Sequence, residues 1–196
     1  MNKANDITVV DEPYIESAST ASKPRRTRRS AKAVDVLIDL GPCPRSIDEV
    51  YSLGIKMQYY IGDIYLRLNA LHQGSVKTLY KELALKQLDT KKEIQKLADD
   101  NLNELLSFFY NNGGAIIEPL VSEQMAKEMQ PFFNRISANF LKQVDVLVSK
   151  ASKEETNASE LEPMINNILI EMYTTMSMLF PIQKMKDAYN ELISLR

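Results

Sequence analysis

The chain of 196 residues has little of what most catalytic sites are built from: it contains one cysteine, one histidine and no tryptophan. A single cysteine excludes a disulfide within the chain, and it also excludes zinc or iron centres that need paired cysteines. No glycine-rich phosphate loop of either common type occurs, so the sequence gives no support for nucleotide binding. These absences remove most of the recognisable catalytic and cofactor-binding classes.

Long hydrophobic runs are also missing. No apolar run approaches the roughly 18 residues that cross a bilayer, and the N-terminus lacks the apolar core of a signal peptide. The sequence therefore predicts neither a membrane span nor classical secretion, and we expect a cytoplasmic protein. Its hydrophobic content of 44% and charged content of 26% are typical of a soluble globular protein.

Charge is unevenly divided along the chain. Residues 1–33 carry seven basic and four acidic residues, a formal charge of +3, whereas the whole chain carries −2, so residues 34–196 carry −5. The first 33 residues also lack helical periodicity, which predicts a disordered basic tail. Its candidate partner-binding residues are Arg25, Arg26, Arg28, Arg29 and Lys32.

Such a basic cluster attracts phosphate backbones, anionic lipid or an acidic protein surface through the same Coulombic force. A solvated tail that only keeps the protein soluble, or one that docks on its own acidic domain, is an equal alternative. No aromatic residue lies among the arginines, which argues against a stacking platform for single-stranded nucleic acid. The tail thus predicts a protein partner or anionic surface, with nucleic acid left open.

Residues 34–45 have the pattern of an extended strap that precedes the helical domain at 46–196. Residues 34–40 alternate apolar and polar side chains, and the sequence GPCP at 41–44 breaks any helix. We expect the strap to lie on the surface of the domain, although an extended segment can also add to the sheet edge of a partner. Cys43, between prolines and without a nearby histidine, is expected to be exposed and not catalytic.

Two amphipathic helices joined by a tight turn follow the strap. In the first, Ser46 and Glu49 form a capping box, and one helical stripe holds Ile47, Val50, Gly54, Ile61, Tyr65 and Leu68. The second has a heptad-like seam of Val76, Leu79, Leu83, Ile94, Leu97, Leu105 and Phe108. Polar residues interrupt both: Gln58 in the first helix, and Gln87, Thr90 and Asn101 in the second. A short turn makes the helices antiparallel, so Gln58, Gln87 and Thr90 should face the same interior.

Two prolines predict kinks in the later helices. Pro119 suits the first turn of a short helix near 119–130, and Pro131 should kink or divide it from a longer one at 131–151. Pro181 predicts a second kink in the last helix. The expected face of the third helix is Val121, Met125, Met129, Phe132, Ile136, Phe140, Val144 and Leu147. That of the last helix is Met164, Ile168, Glu171, Thr175, Met178, Ile182, Met185, Tyr189 and Leu192.

The first two helices resemble the helix pair that opens the rubrerythrin-like ferritin superfamily. The resemblance rests on IKMQ at 55–58, on Ile64 and Tyr65, and on LYKELALKQLDT at 79–90. It covers about 50 residues, and it is one of pattern. In that family the first helix carries a ligand Glu, and the second carries Glu-x-x-His of a di-iron site. The resemblance implies an all-α fold: an antiparallel ferritin-like four-helix bundle.

The family's metal ligands fall on residues that do not bind metals in this way. The first Glu falls on Gln58, the second on Gln87 and the His on Thr90, and a neutral amide or a hydroxyl does not replace a carboxylate or an imidazole. Glu171 is the one candidate remnant of the later ligands. The three polar residues either reach solvent at the helix flanks or lie inside and bond one another. We therefore expect no metal, no cofactor and no catalytic residue.

These features favour a non-catalytic helical bundle that serves as an interaction or assembly module, attached to a partner by its tail. An alternative is a di-metal oxidoreductase, for peroxide scavenging or iron oxidation, with non-standard ligands among Glu82, Glu93, Glu123, Glu128 and Glu171. Another is a DNA-compacting ferritin-like protein, whose tail would neutralise phosphates. The sequence leans against an enzyme and leaves homo-oligomerisation open.

Overall fold

Amphipathic repeats of about 3.6 residues become helices throughout the described part of the chain. The computed structural model describes residues 38–114, 119–154 and 157–196, and these residues form five α-helices and no strand. The helices are α1 (Ile47–Leu71), α2 (Gly74–Asn111), α3 (Glu123–Ser152), α4 (Ala158–Ser177) and α5 (Gln183–Ser194). The predicted all-α class is confirmed. Within the described ranges, none of the helices combines the length and hydropathy needed to cross a bilayer.

Helix α1 begins where its sequence predicts. The Ser46 hydroxyl accepts a hydrogen bond from the Glu49 N–H at 3.3 Å, as an N-cap should. The Glu49 carboxylate accepts from the N–H of Arg45 at 2.6 Å instead of that of Ser46, so the box is displaced by one residue. The predicted stripe is buried apart from Ile47, which is partly exposed, and Gln58 is buried with it.

Helices α1 and α2 form the predicted antiparallel pair. Near the start of α1, Asp48 accepts a hydrogen bond of 2.7 Å from Asn101; near its end, Asn69 donates to the Lys77 carbonyl at 2.6 Å. Helix α2 buries its predicted seam between Leu83 and Ile94, whereas Val76 is exposed, and from residue 95 onward no side chain of α2 is fully buried. The long helix therefore extends past the start of α1.

Helix α3 is continuous, so the predicted division at Pro131 is wrong. Pro131 lies inside α3 on its exposed side, where water can hydrate the carbonyl that the missing N–H leaves unpaired. The buried face also differs by one position, since Phe133 is fully buried and Phe132 is 52% exposed. Burial of the apolar face holds the helix together across the proline.

The predicted last helix is two helices. Helix α4 begins after Asn157, whose side chain caps it, and it ends at Ser177; Pro181 lies in the connection before α5, so it separates two helices instead of kinking one. Four residues of the expected face are exposed: Met164, Glu171, Thr175 and Met178. The face of α4 that is buried instead is Ala158, Leu161, Ile165, Leu169, Met172, Tyr173 and Met176.

The described part of the strap, residues 38–45, is not helical, and it packs into the core. Leu40 is buried, and Cys43 is only 1% exposed. The Cys43 N–H donates to the Gln130 Oε1 atom at 2.7 Å, which joins the strap to α3. The expectation of an exposed Cys43 is wrong, because its apolar side chain fills the core. Residues 34–37 lie outside the described residues.

Candidate functional site

The candidate site is the interior of the helical domain around Gln58. Helical periodicity places Gln58 on the buried stripe of α1, where it is 2% exposed. Its side-chain oxygen accepts a hydrogen bond of 2.9 Å from the Nη1 atom of Arg196, the residue that follows α5 by two positions. Its amide nitrogen is 3.4 Å from the Gly54 carbonyl of its own helix. A guanidinium cation therefore lies against the buried side chain of Gln58.

Close packing of α1 against α5 brings Arg196 to this position. A Cβ atom on Gly54 would lie 2.7 Å from Leu192 Cδ2, so any larger residue at this position would force the Leu192 side chain to move. Leu192 is fully buried, and Arg196 follows it by four residues, just beyond the end of α5. The close approach of α5 to α1 at Gly54 thus places Arg196 beside Gln58.

The guanidinium of Arg196 lies near the uncharged side chains of Gln58 and Tyr173. Its Nε and Nη2 atoms are buried without a hydrogen-bond partner, and so are the hydroxyls of Tyr173 and Tyr189. Among the ion pairs of the described residues, none includes Arg196. Burial raises the pKa of Tyr173 to about 12, although the nearby Arg196 charge lowers it. The tyrosines are therefore neutral at physiological pH, and the cation has neutral neighbours.

Gln87 and Thr90 are also inside, but they do not join Gln58 in a network. Gln87 is 3% exposed, and its Oε1 atom has no hydrogen-bond partner. The Thr90 hydroxyl donates to the Lys86 carbonyl of its own helix at 3.2 Å. The alternative in which these residues reach solvent is wrong, and so is the expectation that they bond one another. Arg196 is the partner of Gln58 instead.

Glu171 does not face this interior. It is exposed on α4, where the chain turns Met172 and Tyr173 inward instead. The other four carboxylates that could have served as non-standard ligands are likewise exposed: Glu82, Glu93, Glu123 and Glu128. Within the described ranges, no group of three or more His, Cys, Asp or Glu side chains is arranged to hold a metal ion. The alternative ligands are thus dispersed over the surface.

The chemistry available in this interior is limited. A guanidinium group donates hydrogen bonds but accepts none, and a buried tyrosine with a raised pKa does not supply a tyrosinate base. Burial also raises the pKa of the Cys43 thiol to about 11, with a further rise from the Glu49 charge, so Cys43 is not an activated nucleophile. The cluster can orient helices and exclude water, but its groups provide no base, nucleophile or ligand set.

The single histidine has a packing role at the α1–α2 turn. The His72 Nε2 atom donates to the Ala151 carbonyl at 3.1 Å, and the ring packs against Tyr80 with centroids 5.3 Å apart. These contacts join the turn between α1 and α2 to the end of α3.

The remaining predicted site residues, Arg25, Arg26, Arg28, Arg29 and Lys32, lie outside the described residues. Sequence reasoning missed Arg196, because this residue lies beyond the end of α5 and no local pattern predicts its contact with Gln58. No protein-family model matches the chain, and neither do curated proteins or solved structures.

Proposed function

We propose that this chain is a non-catalytic, ferritin-like four-helix bundle that acts in the cytoplasm as an interaction or assembly module. Its basic N-terminal tail attaches it to a protein partner or another anionic surface. The all-helical fold and the antiparallel pair of α1 and α2 are compatible with the bundle. The basic tail and the acidic helical domain carry net charges of opposite sign, so they favour different partners.

One observation carries the proposal. The residue aligned with the first metal-ligand Glu is Gln58, and it accepts a hydrogen bond from a buried guanidinium. A positive charge at that point repels a divalent cation, and the repulsion is strong where water is excluded. The same cation that opposes metal binding stabilises the interior by pairing with Gln58. The bundle thus keeps its packing without redox chemistry.

The attachment role is tested with the full chain. We expect replacement of Arg25, Arg26, Arg28, Arg29 and Lys32 by Gln to abolish capture of the partner from native-cell extract, because the attraction is Coulombic. The matched control removes five exposed lysines from the helical domain: Lys77, Lys81, Lys96, Lys142 and Lys150. Capture should survive in the control.

Equal loss in the two variants would contradict attachment through the tail, because it would show dependence on net charge alone. Capture that nuclease treatment abolishes would favour the DNA-compacting alternative. Capture that survives both nuclease and the tail substitutions would place the attachment elsewhere.

A further inference from the structure

A surface groove lies between the start of α1, the later turns of α2 and the outer face of α5. Its volume is about 370 Å³. Its apolar lining residues are Ile47, Leu97, Leu105, Leu120 and Ala188. We call this surface the acidic groove, because carboxylates line it together with these apolar residues.

The charge of the acidic groove is almost entirely of one sign. Five carboxylates and one basic side chain line it: Asp48, Asp100, Glu104, Asp187 and Glu191, with Lys184. None of these six residues takes part in an ion pair with another described residue. Like charges held this close repel one another, so a cation that entered the groove would relieve the repulsion.

Neutral donors hold three of these carboxylates in place without cancelling their charge. Asn101 donates to Asp48 and Gln183 donates to Asp187, each at 2.7 Å, and the Tyr51 hydroxyl donates to Glu191. The pKa of Tyr51 is raised well above its usual value, first by burial, then by the Glu191 hydrogen bond and charge, and also by Asp48. The negative potential therefore extends into the groove.

The groove continues along α2 as an apolar helix face. Leu97, Leu105 and Phe108 follow helical spacing, with Asp100 and Glu104 beside them, and Phe108 is 54% exposed. From Leu97 to Phe108 the helix rises about 16 Å, or three turns. Beyond it, Tyr110 is 76% exposed. Exposed apolar residues bordered by charge are typical of a protein-binding surface.

We propose that the acidic groove binds a basic amphipathic helix of a partner protein. Apolar residues at helical spacing would lie on Leu97 and Leu105, while flanking lysines or arginines would pair with Asp100, Glu104 and Asp187. Nucleic acid and anionic lipid are repelled by the same carboxylates. This inference deepens the proposed interaction role, and it concerns a surface separate from the tail.

The test uses the full chain and a random library of 14-residue helical peptides displayed on phage. We expect the selected peptides to be cationic, with apolar residues three and four positions apart. For the best peptide, Asp100→Lys with Glu104→Lys should weaken binding about tenfold or more, measured by fluorescence anisotropy. The matched control is Glu82→Lys with Glu128→Lys, which changes the net charge equally at exposed sites outside the groove.

A second variant, Leu105→Gln, keeps the charge and should also weaken binding, while circular dichroism confirms that each variant is folded. Selection without cationic enrichment, or equal loss in the control pair, would overturn the proposal. So would self-association that Leu105→Gln abolishes in sedimentation, because the occupant would then be a second copy. Metal bound at one or more ions per chain in the purified protein would contradict the proposed non-catalytic function. It would not change the conclusion from the peptide-binding results.

Discussion

Gln58→Met is expected to lower the free energy of unfolding by about 1.5 to 3 kcal/mol, because it removes the hydrogen-bond acceptor of the partly buried Arg196 guanidinium. The Arg196 guanidinium donates a hydrogen bond of 2.9 Å to the Gln58 side chain. Its Nε and Nη2 atoms have no hydrogen-bond partner. Methionine has a similar volume, so the loss should come from hydrogen bonding and not from a cavity. Urea unfolding followed by circular dichroism measures it.

Gln87→Met is the matched control on the neighbouring helix. The Gln87 Oε1 atom is buried without a partner, so removing it should change stability by less than about 1 kcal/mol, or raise it. Combining Gln58→Met with Arg196→Met should recover about 2 kcal/mol relative to the sum of the single losses, since both members of the pair are then apolar. Equal costs at Gln58 and Gln87 would contradict the special role of Arg196.

The second large effect is alkaline unfolding between about pH 10 and pH 12. Burial raises the pKa of Cys43 from 9.0 to about 11, and those of Tyr60 and Tyr173 from 10.0 to about 12. In that range the unfolded chain has lost these protons while the folded chain keeps them, so stability falls as the pH rises. Each shift corresponds to roughly 3 kcal/mol at most, and because all three act in the same direction their losses of stability should accumulate as the pH rises. Burial also raises the pKa values of Tyr51, Tyr65, Tyr80 and Tyr189.

Two signals measured together test this expectation. Tyrosinate absorbance from the buried tyrosines should appear in the same narrow pH interval in which helical circular dichroism disappears. Tyr173→Phe removes one titrating group, together with a hydroxyl that has no partner, and should move the transition to higher pH. Complete tyrosine ionisation with the helices intact would show that these side chains are accessible, contrary to their burial.

Periodicity predicts α1 well because this helix buries one continuous stripe, whereas α2 buries its predicted seam only between Leu83 and Ile94. Ser46 caps α1, and the stripe from Val50 to Leu68 is buried with Gln58 in it. Both ends of the pair are set by local chemistry, the cap at one end and a two-residue turn at the other. Local signals of this kind depend little on the rest of the fold.

The later helices were harder to predict because two faces of each sequence are apolar. Phe132 and Phe133 are adjacent, and only the packing of α3 decides that Phe133 is buried. In α4 the spacing of the methionines predicted a buried face that includes Glu171. The structure buries Met172 and Tyr173 instead. Tertiary packing selects between such faces, and no local signal marks the choice.

For the polar residues inside the domain, the sequence likewise predicts burial but not hydrogen-bond partners. The burial of Gln58, Gln87 and Thr90 follows from their positions on helical stripes. Their partners do not follow, because the contact from Arg196 needs both the break after α4 and the close approach of α5 at Gly54. A long-range contact between residues 58 and 196 has no signature in either local sequence.

Metal content measured by elemental analysis tests the central claim most directly, after the purified full chain has been incubated with Fe²⁺ or Mn²⁺ and passed through a desalting column. With Gln58 bound to the Arg196 guanidinium and the candidate carboxylates exposed, we expect far less than one ion per chain. Iron or manganese retained at one or more ions per chain would contradict the account.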